Sequence, residues 1–135
     1  MPNGNVHNTA GAILGPIAYI FIKDKPTTNE DYDIGELLLS TCISTCTARI
    51  PDILEPAINP NHRDFFHSIV FGGLLGYAGY KIWEDLQERR RKRKLLNIDK
   101  MELIEIGEIF FLILIGSVLL HLILDAFTPK GLPFI

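Results

Sequence analysis

The sequence predicts an all-α protein: an integral membrane bundle of about four transmembrane helices, forming a single domain over residues 1–135. Three observations predict it. Apolar residues make up 47% of the chain, but they come in blocks instead of the dispersed pattern of a soluble core. The most uninterrupted block, IFFLILIGSVLL at 109–120, carries no charge, and the stretch around it, 106–127, matches the roughly 20 residues that a spanning helix needs. Length is the third, since 135 residues suffice for one compact unit and not for two comfortable domains.

Residues 6–22 (VHNTAGAILGPIAYIFI) form the first predicted span. It is short and contains Gly11, Gly15 and Pro16, which membrane helices tolerate when neighbours re-satisfy the backbone. Its amino end lacks Lys or Arg and it runs into acidic sequence, so it is expected to remain as a helix and not be cleaved as a signal. DKPTTNEDYD at 24–33 is a polar, acidic connector. The second span, 34–50 (IGELLLSTCISTCTARI), is rich in the small residues that let membrane helices approach closely. Cys42 and Cys46 lie four apart on one face, a spacing that is neither a CxxC motif nor suited to a disulfide, and they are expected to act as small packing residues.

The third span, 65–83 (FFHSIVFGGLLGYAGYKIW), carries Gly72, Gly73, Gly76 and Gly79, and Gly72-x3-Gly76 has a close-packing spacing. Asp64, just ahead of it, is the expected N-cap. Residues 84–105 then form a loop whose RRRKRK run at 89–94 is expected to be solvated and to touch anionic lipids; no nucleic-acid partner is expected. The competing fold is a soluble helical bundle, but a domain this small has room for about one fully buried helix, not four.

Charge orients the bundle. With four spans, Lys23, Lys25, Lys81, the six basic residues at 89–94 and Lys100 share one side, and Arg49, Arg63 and Lys130 share the other. Ten of thirteen basic residues on one side predict that this side is cytoplasmic and that both termini lie outside.

All four histidines, His7, His62, His67 and His121, fall on the other, extracytoplasmic side. Carboxylates join them. His121 and Asp125 are four apart, about 40° around a helix, so they project together from an apolar surface. An ionisable group within a span is costly and marks a functional site, or else a His–Asp hydrogen bond that staples two helices. Pro51, Pro56 and Pro60 stiffen the segment that carries Asp52 and Glu55. His62 and His67 converge only if His62 lies in the loop and His67 in the first turn of the following helix. Imidazoles and carboxylates in one layer form the mixed N/O ligand set that favours Zn2+ and also accepts Mn2+ or Fe2+. His7, Asp52, His62, His67, His121 and Asp125 are the candidate ligands, enough for one ion or two.

PDILEP, NHRDFFHS and HLILDAFTPKG, preceded by a lone His near the start, resemble the YdjM-type membrane-bound proteins usually described as metal-dependent hydrolases. Where many members carry a second Asp after the Pro-Asp pair, this chain has Leu54 and Glu55, and in place of an Arg-Gly-x-Thr-His sequence it has Arg63 to His67. That family is distantly similar to the zinc phospholipase C and nuclease P1 group, a likeness resting here on His121 and Asp125. The resemblance implies a hydrolase and leaves its substrate open.

Position suggests the substrate. A site at head-group depth meets phosphates of membrane lipids or lipid-linked intermediates without drawing them into water, which predicts a phospholipase-like phosphoester hydrolase of the plasma (inner) membrane. Glu55 is the candidate general base with Asp52 next, and Arg63 is a bidentate phosphate contact. A small metal or ion transporter and a non-catalytic assembly protein with a structural metal are the alternatives.

Overall fold

The computed structural model describes residues 4–23, 32–56, 65–98, 101–128 and 132. Among them are five helices and no strand: α1 (Gly4–Ile22), α2 (Ile34–Thr47), the single-turn α3 (Ile50–Leu54), α4 (Ile69–Leu95) and α5 (Leu103–Ala126). Asp33 starts α2 by accepting the Glu36 N–H at 3.0 Å. Pro51 ends it, because it has no N–H to give and its ring crowds the carbonyl four residues back. The predicted span 34–50 is therefore broken at Ala48 and Arg49, and the chain restarts as α3 with Pro51 in its first turn.

Helix α4 differs from its predicted form at both ends. Its N-cap is Ser68, whose Oγ accepts the Phe71 N–H at 3.1 Å; Asp64, the expected cap, lies outside the described residues. His67 consequently sits in the turn ahead of the helix and not in its first turn. At the other end the helix does not stop at Trp83 but runs through RRRKRK, 27 residues in all and roughly 40 Å long. It closes on Asn97 at φ 53°, with Ile98 N–H bonded to the Arg93 carbonyl at 3.1 Å, the 6→1 bond of a left-handed helix stop. The basic run is helix, not loop.

Packing is set by side chains four residues apart. On α1 the buried stripe is His7, Gly11, Gly15 and Tyr19. Its two glycines lie against the backbone of antiparallel α2, where a Cβ would meet the Ser44 carbonyl oxygen at 2.6 Å and that of Ser40 at 2.5 Å. Gly11-x3-Gly15 is thus the close-approach pair, and Gly72-x3-Gly76 is not: Gly72 faces Leu122 Cδ1, but a Cβ on Gly76 would meet nothing within 4 Å. Ser40, Ser44 and Ala48 do the packing expected of Cys42 and Cys46, which are free thiols on the exposed face of α2.

Helix α5 runs parallel to α2 and antiparallel to α1 and α4. Ser117 Oγ donates to the Ser44 carbonyl at 2.5 Å, and Glu105, Ile109, Ile113, Ser117, His121 and Asp125 form its buried stripe. Between the carboxyl half of α1 and the amino half of α5, Tyr19, Leu86, Ile109 and Ile113 close into a buried core.

Alternating helix directions give the bundle two chemically different ends. One gathers His7, Asp52, His67, His121 and Asp125. At the other, three arginines of the basic run turn inward: Arg89 pairs with Glu108 at 2.9 Å, Arg93 pairs with buried Glu105 at 3.2 Å, and Arg90 donates to the Ile22 carbonyl. Lys23 and Tyr19 both bond Glu36 nearby. Burial pulls the Lys23 pKa down, but the bonds to Glu36 and Tyr19 outweigh it and hold the ammonium above its usual range. Among the described residues, two stretches are long and apolar enough to cross a membrane, Ile34–Leu54 with mean hydropathy 1.2 and Leu103–Ala126 with 2.5. Helix α1 opens on Asn5, His7 and Asn8, and α4 turns polar beyond Trp83, so neither reaches that measure.

Candidate metal centre

Four side chains from three places in the chain converge at the histidine end: Asp52 from α3, His67 from the turn before α4, and His121 and Asp125 from α5. One donor atom from each lies within 4.8 Å of all the others. His67 Nε2 is 3.3 Å from His121 Nε2 and 3.3 Å from Asp52 Oδ1. Asp52 Oδ1 is 3.6 Å from His121 Nε2, and Asp125 Oδ2 is 3.7 and 3.6 Å from the Nε2 atoms of His67 and His121. The α5 contribution follows from the helix itself, which stacks His121 and Asp125 one turn apart on one face.

The histidines are aimed by what lies behind them. His121 Nδ1 donates to the Ala48 carbonyl at 2.7 Å, an oxygen set free by the helix break that Pro51 enforces. His67 Nδ1 donates to Glu55 Oε2 at 2.8 Å, and Glu55 Oε1 accepts the Phe66 N–H at 2.8 Å. A carbonyl or a carboxylate can only accept, so both Nδ1 atoms carry hydrogen. With both rings neutral, their Nε2 electron pairs would point at each other and at two carboxylates. A proton on one Nε2 can point at one neighbour at a time; a divalent cation satisfies all four. Zn–N bonds of about 2.0–2.1 Å in a tetrahedron hold ligand atoms about 3.3 Å apart, against 3.3–3.7 Å for the five separations given above. The residues fit a small N/O-ligated ion such as zinc, with the backing carbonyl and carboxylate usual for metal-binding histidines.

Burial is uneven. His67, His121 and Asp125 are at most 1% exposed, whereas the Asp52 side chain is 31% exposed and forms the one open corner.

The remaining candidates fall around this core. His7 lies outside the set of four but next to it, stacked on His121 with ring centroids 3.9 Å apart, its Nε2 3.6 Å from Asp125 Oδ1. Asp125 so turns one oxygen to His67 and His121 and the other to His7. Glu55, the expected base, stands behind His67 with both oxygens accepting hydrogen bonds. His62 and Arg63 lie outside the described residues. Sequence reasoning passed over Arg49, the exposed residue ahead of α3, whose guanidinium rests near Gly4 and which has no ion-pair partner among the described residues. Its signal was available: it is one of only three basic residues on the histidine side and lies three positions before Asp52.

A family model described as YdjM inner membrane protein matches residues 1–135, the whole chain. No curated protein and no solved structure matches.

Proposed function

The chain belongs to the YdjM inner membrane protein family, and on that premise we propose that it is a multi-pass, metal-dependent hydrolase of phosphoester bonds in lipids or lipid-linked substrates. Its helices alternate across the inner membrane with the basic end in the cytoplasm, by the ten-to-three distribution of Lys and Arg. The metal centre then opens at the extracytoplasmic head-group layer. His67, His121 and Asp125 would hold a divalent ion there, Zn2+ by the ligand chemistry, and its chemistry when bound would be to polarise a phosphoryl oxygen and lower the pKa of water toward neutrality.

The observation that carries the reading is the open corner. Three buried ligands, His67, His121 and Asp125, would hold the ion, and the fourth corner, that of the partly exposed Asp52, would yield to water, giving the three-ligand arrangement of a catalytic zinc site. Asp52, partly exposed beside that position, takes the proton from the attacking water. Glu55 is reassigned from base to positioning residue: it fixes the His67 tautomer. His7 packs against His121 and limits the position of Asp125. Arg49 meets the phosphate from the solvent side as a two-pronged donor. A transporter is disfavoured by the buried Tyr19, Leu86, Ile109 and Ile113 cluster, which packs between the two polar ends of the bundle.

The test is metal analysis of detergent-purified protein, hydrolysis of a panel of phospholipids, and the Asp52→Asn variant. Asp52→Asn should keep the metal and lose about 10²–10⁴-fold in rate, the range of a general base. Loss of the metal would make Asp52 the fourth ligand of a closed site. Wild-type protein that holds metal yet cleaves no phosphoester would leave a structural metal as the better reading.

A further inference from the structure

An open groove of about 430 Å³ runs along the seam of α2 and α5, lined by Cys42, Cys46, Gly107, Phe110, Phe111 and Leu114 among others. Its size falls in the range of ligand clefts, about 300–1,000 Å³. We propose that this groove seats one hydrocarbon chain of the lipid whose phosphate engages the metal centre. The substrate class is thereby a phosphoester amphiphile with a long apolar tail; the word substrate rests on the hydrolase reading, the seat does not.

Three features carry the proposal. Both walls belong to stretches long and apolar enough to cross a membrane, so the groove opens into bilayer hydrocarbon, where a sugar or peptide would leave polar groups unsatisfied. The groove also leads to the metal centre. Leu114 lies seven residues before His121, which is about 20° around the helix and roughly 10 Å along it; across the seam, the groove residue Thr47 adjoins Ala48, whose carbonyl holds the His121 ring. Finally, the floor is open by composition. A Cβ on Gly107 would meet nothing within 4 Å.

Lipid tails are as apolar as the groove, so no transfer out of water drives a tail into it. What the groove contributes is direction. A chain lying along α5 holds its head group at the level of Asp52.

Cys42 and Cys46 are the only cysteines in the chain and both border the groove, so the rate of their alkylation by N-ethylmaleimide reports its occupancy in the metal-loaded, detergent-purified protein. Dioleoyl phosphatidic acid should slow alkylation several-fold and saturably. Dibutyryl phosphatidic acid should not, having no tail to fill the groove, and dioleoylglycerol should protect less, having no phosphate to anchor. Equal protection by both dioleoyl compounds, or none by either, would overturn the proposal. Gly107→Leu adds a side chain into open space and should retain fold and metal. It should abolish the difference in protection between long and short chains, and for any phosphoester the wild type cleaves it should raise KM for the long-chain form several-fold at unchanged kcat, sparing the short-chain form. A Gly107→Leu protein that still discriminates chain length would refute the seat. If wild type cleaves nothing, the hydrolase reading falls while the alkylation result still decides the seat.

Discussion

Gly11→Ala should damage the metal centre from a distance, through the spacing of α1 and α2. The new methyl would sit 2.6 Å from the Ser44 carbonyl oxygen and 2.9 Å from Ala48 Cβ, where ordinary contact begins at 3.4 Å. Neither neighbour is the flexible end of a side chain, so α2 must retreat by about 0.8 Å at Ser44. Ala48, one turn on, carries the carbonyl that accepts from His121 Nδ1 at 2.7 Å. A retreat of that size stretches the bond to about 3.5 Å, beyond the 2.7–3.2 Å range of an N–H···O bond. Overpacking of this kind costs about 1–3 kcal/mol, and loss of the partner behind a metal-binding histidine lowers affinity about 10–100-fold. Zinc titration against a competing chelator, together with thermal unfolding in detergent, measures both. Gly76→Ala is the matched control, since its methyl meets nothing within 4 Å and should leave affinity unchanged. A Gly11→Ala protein with wild-type zinc affinity and stability would refute the reasoning.

Other substitutions separate the remaining roles. His121→Ala or Asp125→Ala should remove most bound metal, and a double variant with wild-type metal content would dismiss the ligand set. Glu55→Gln offers one acceptor where two N–H donors need one each, which favours moving the His67 proton to Nε2, toward the metal. It should therefore weaken metal binding about 10–100-fold, and undiminished affinity would return Glu55 to the role of base. Arg93→Ala leaves the carboxylate of Glu105, 1% exposed, without its 3.2 Å partner; the expected loss is about 3 kcal/mol, and an unchanged unfolding midpoint would count against a structural role for the basic run. Single-cysteine variants at Asn59 and Gln87, built in a chain lacking Cys42 and Cys46, should label from opposite faces of the membrane; labelling of both from outside would sink the multi-pass topology.

Residue type and spacing made the candidate metal centre largely legible. Pro51 before Asp52, and His121 one turn from Asp125, carry their own geometry, and all four residues that meet lie on the histidine side of a topology drawn from Lys and Arg alone. What spacing cannot state is which of two equal patterns finds a partner. Gly11-x3-Gly15 and Gly72-x3-Gly76 are the same motif, and only the carbonyls of Ser40 and Ser44 decide between them. Glu55 illustrates a related limit: a carboxylate in a stiff loop offers acceptors to a water or to a histidine alike, and its contact with His67 Nδ1 follows from where that ring lies. The basic run looked like a loop because composition was weighed over period. Arg89 and Arg93 are one helical turn apart and face Glu108 and Glu105, three apart on α5, a complementarity visible only once the two helices are set side by side.

The apolar core of Tyr19, Leu86, Ile109 and Ile113 has an electrical consequence. Along the buried stripe of α5, two successive isoleucines separate Glu105 from Ser117, so no chain of proton donors and acceptors along it links the arginine end to the imidazoles. Along that stripe, protons reach the histidines from the end of the bundle they occupy. Acidifying that side of a sealed vesicle should release the metal by protonating His67 and His121, whereas acidifying the far side should not, and the membrane potential should be held across the bundle without leak.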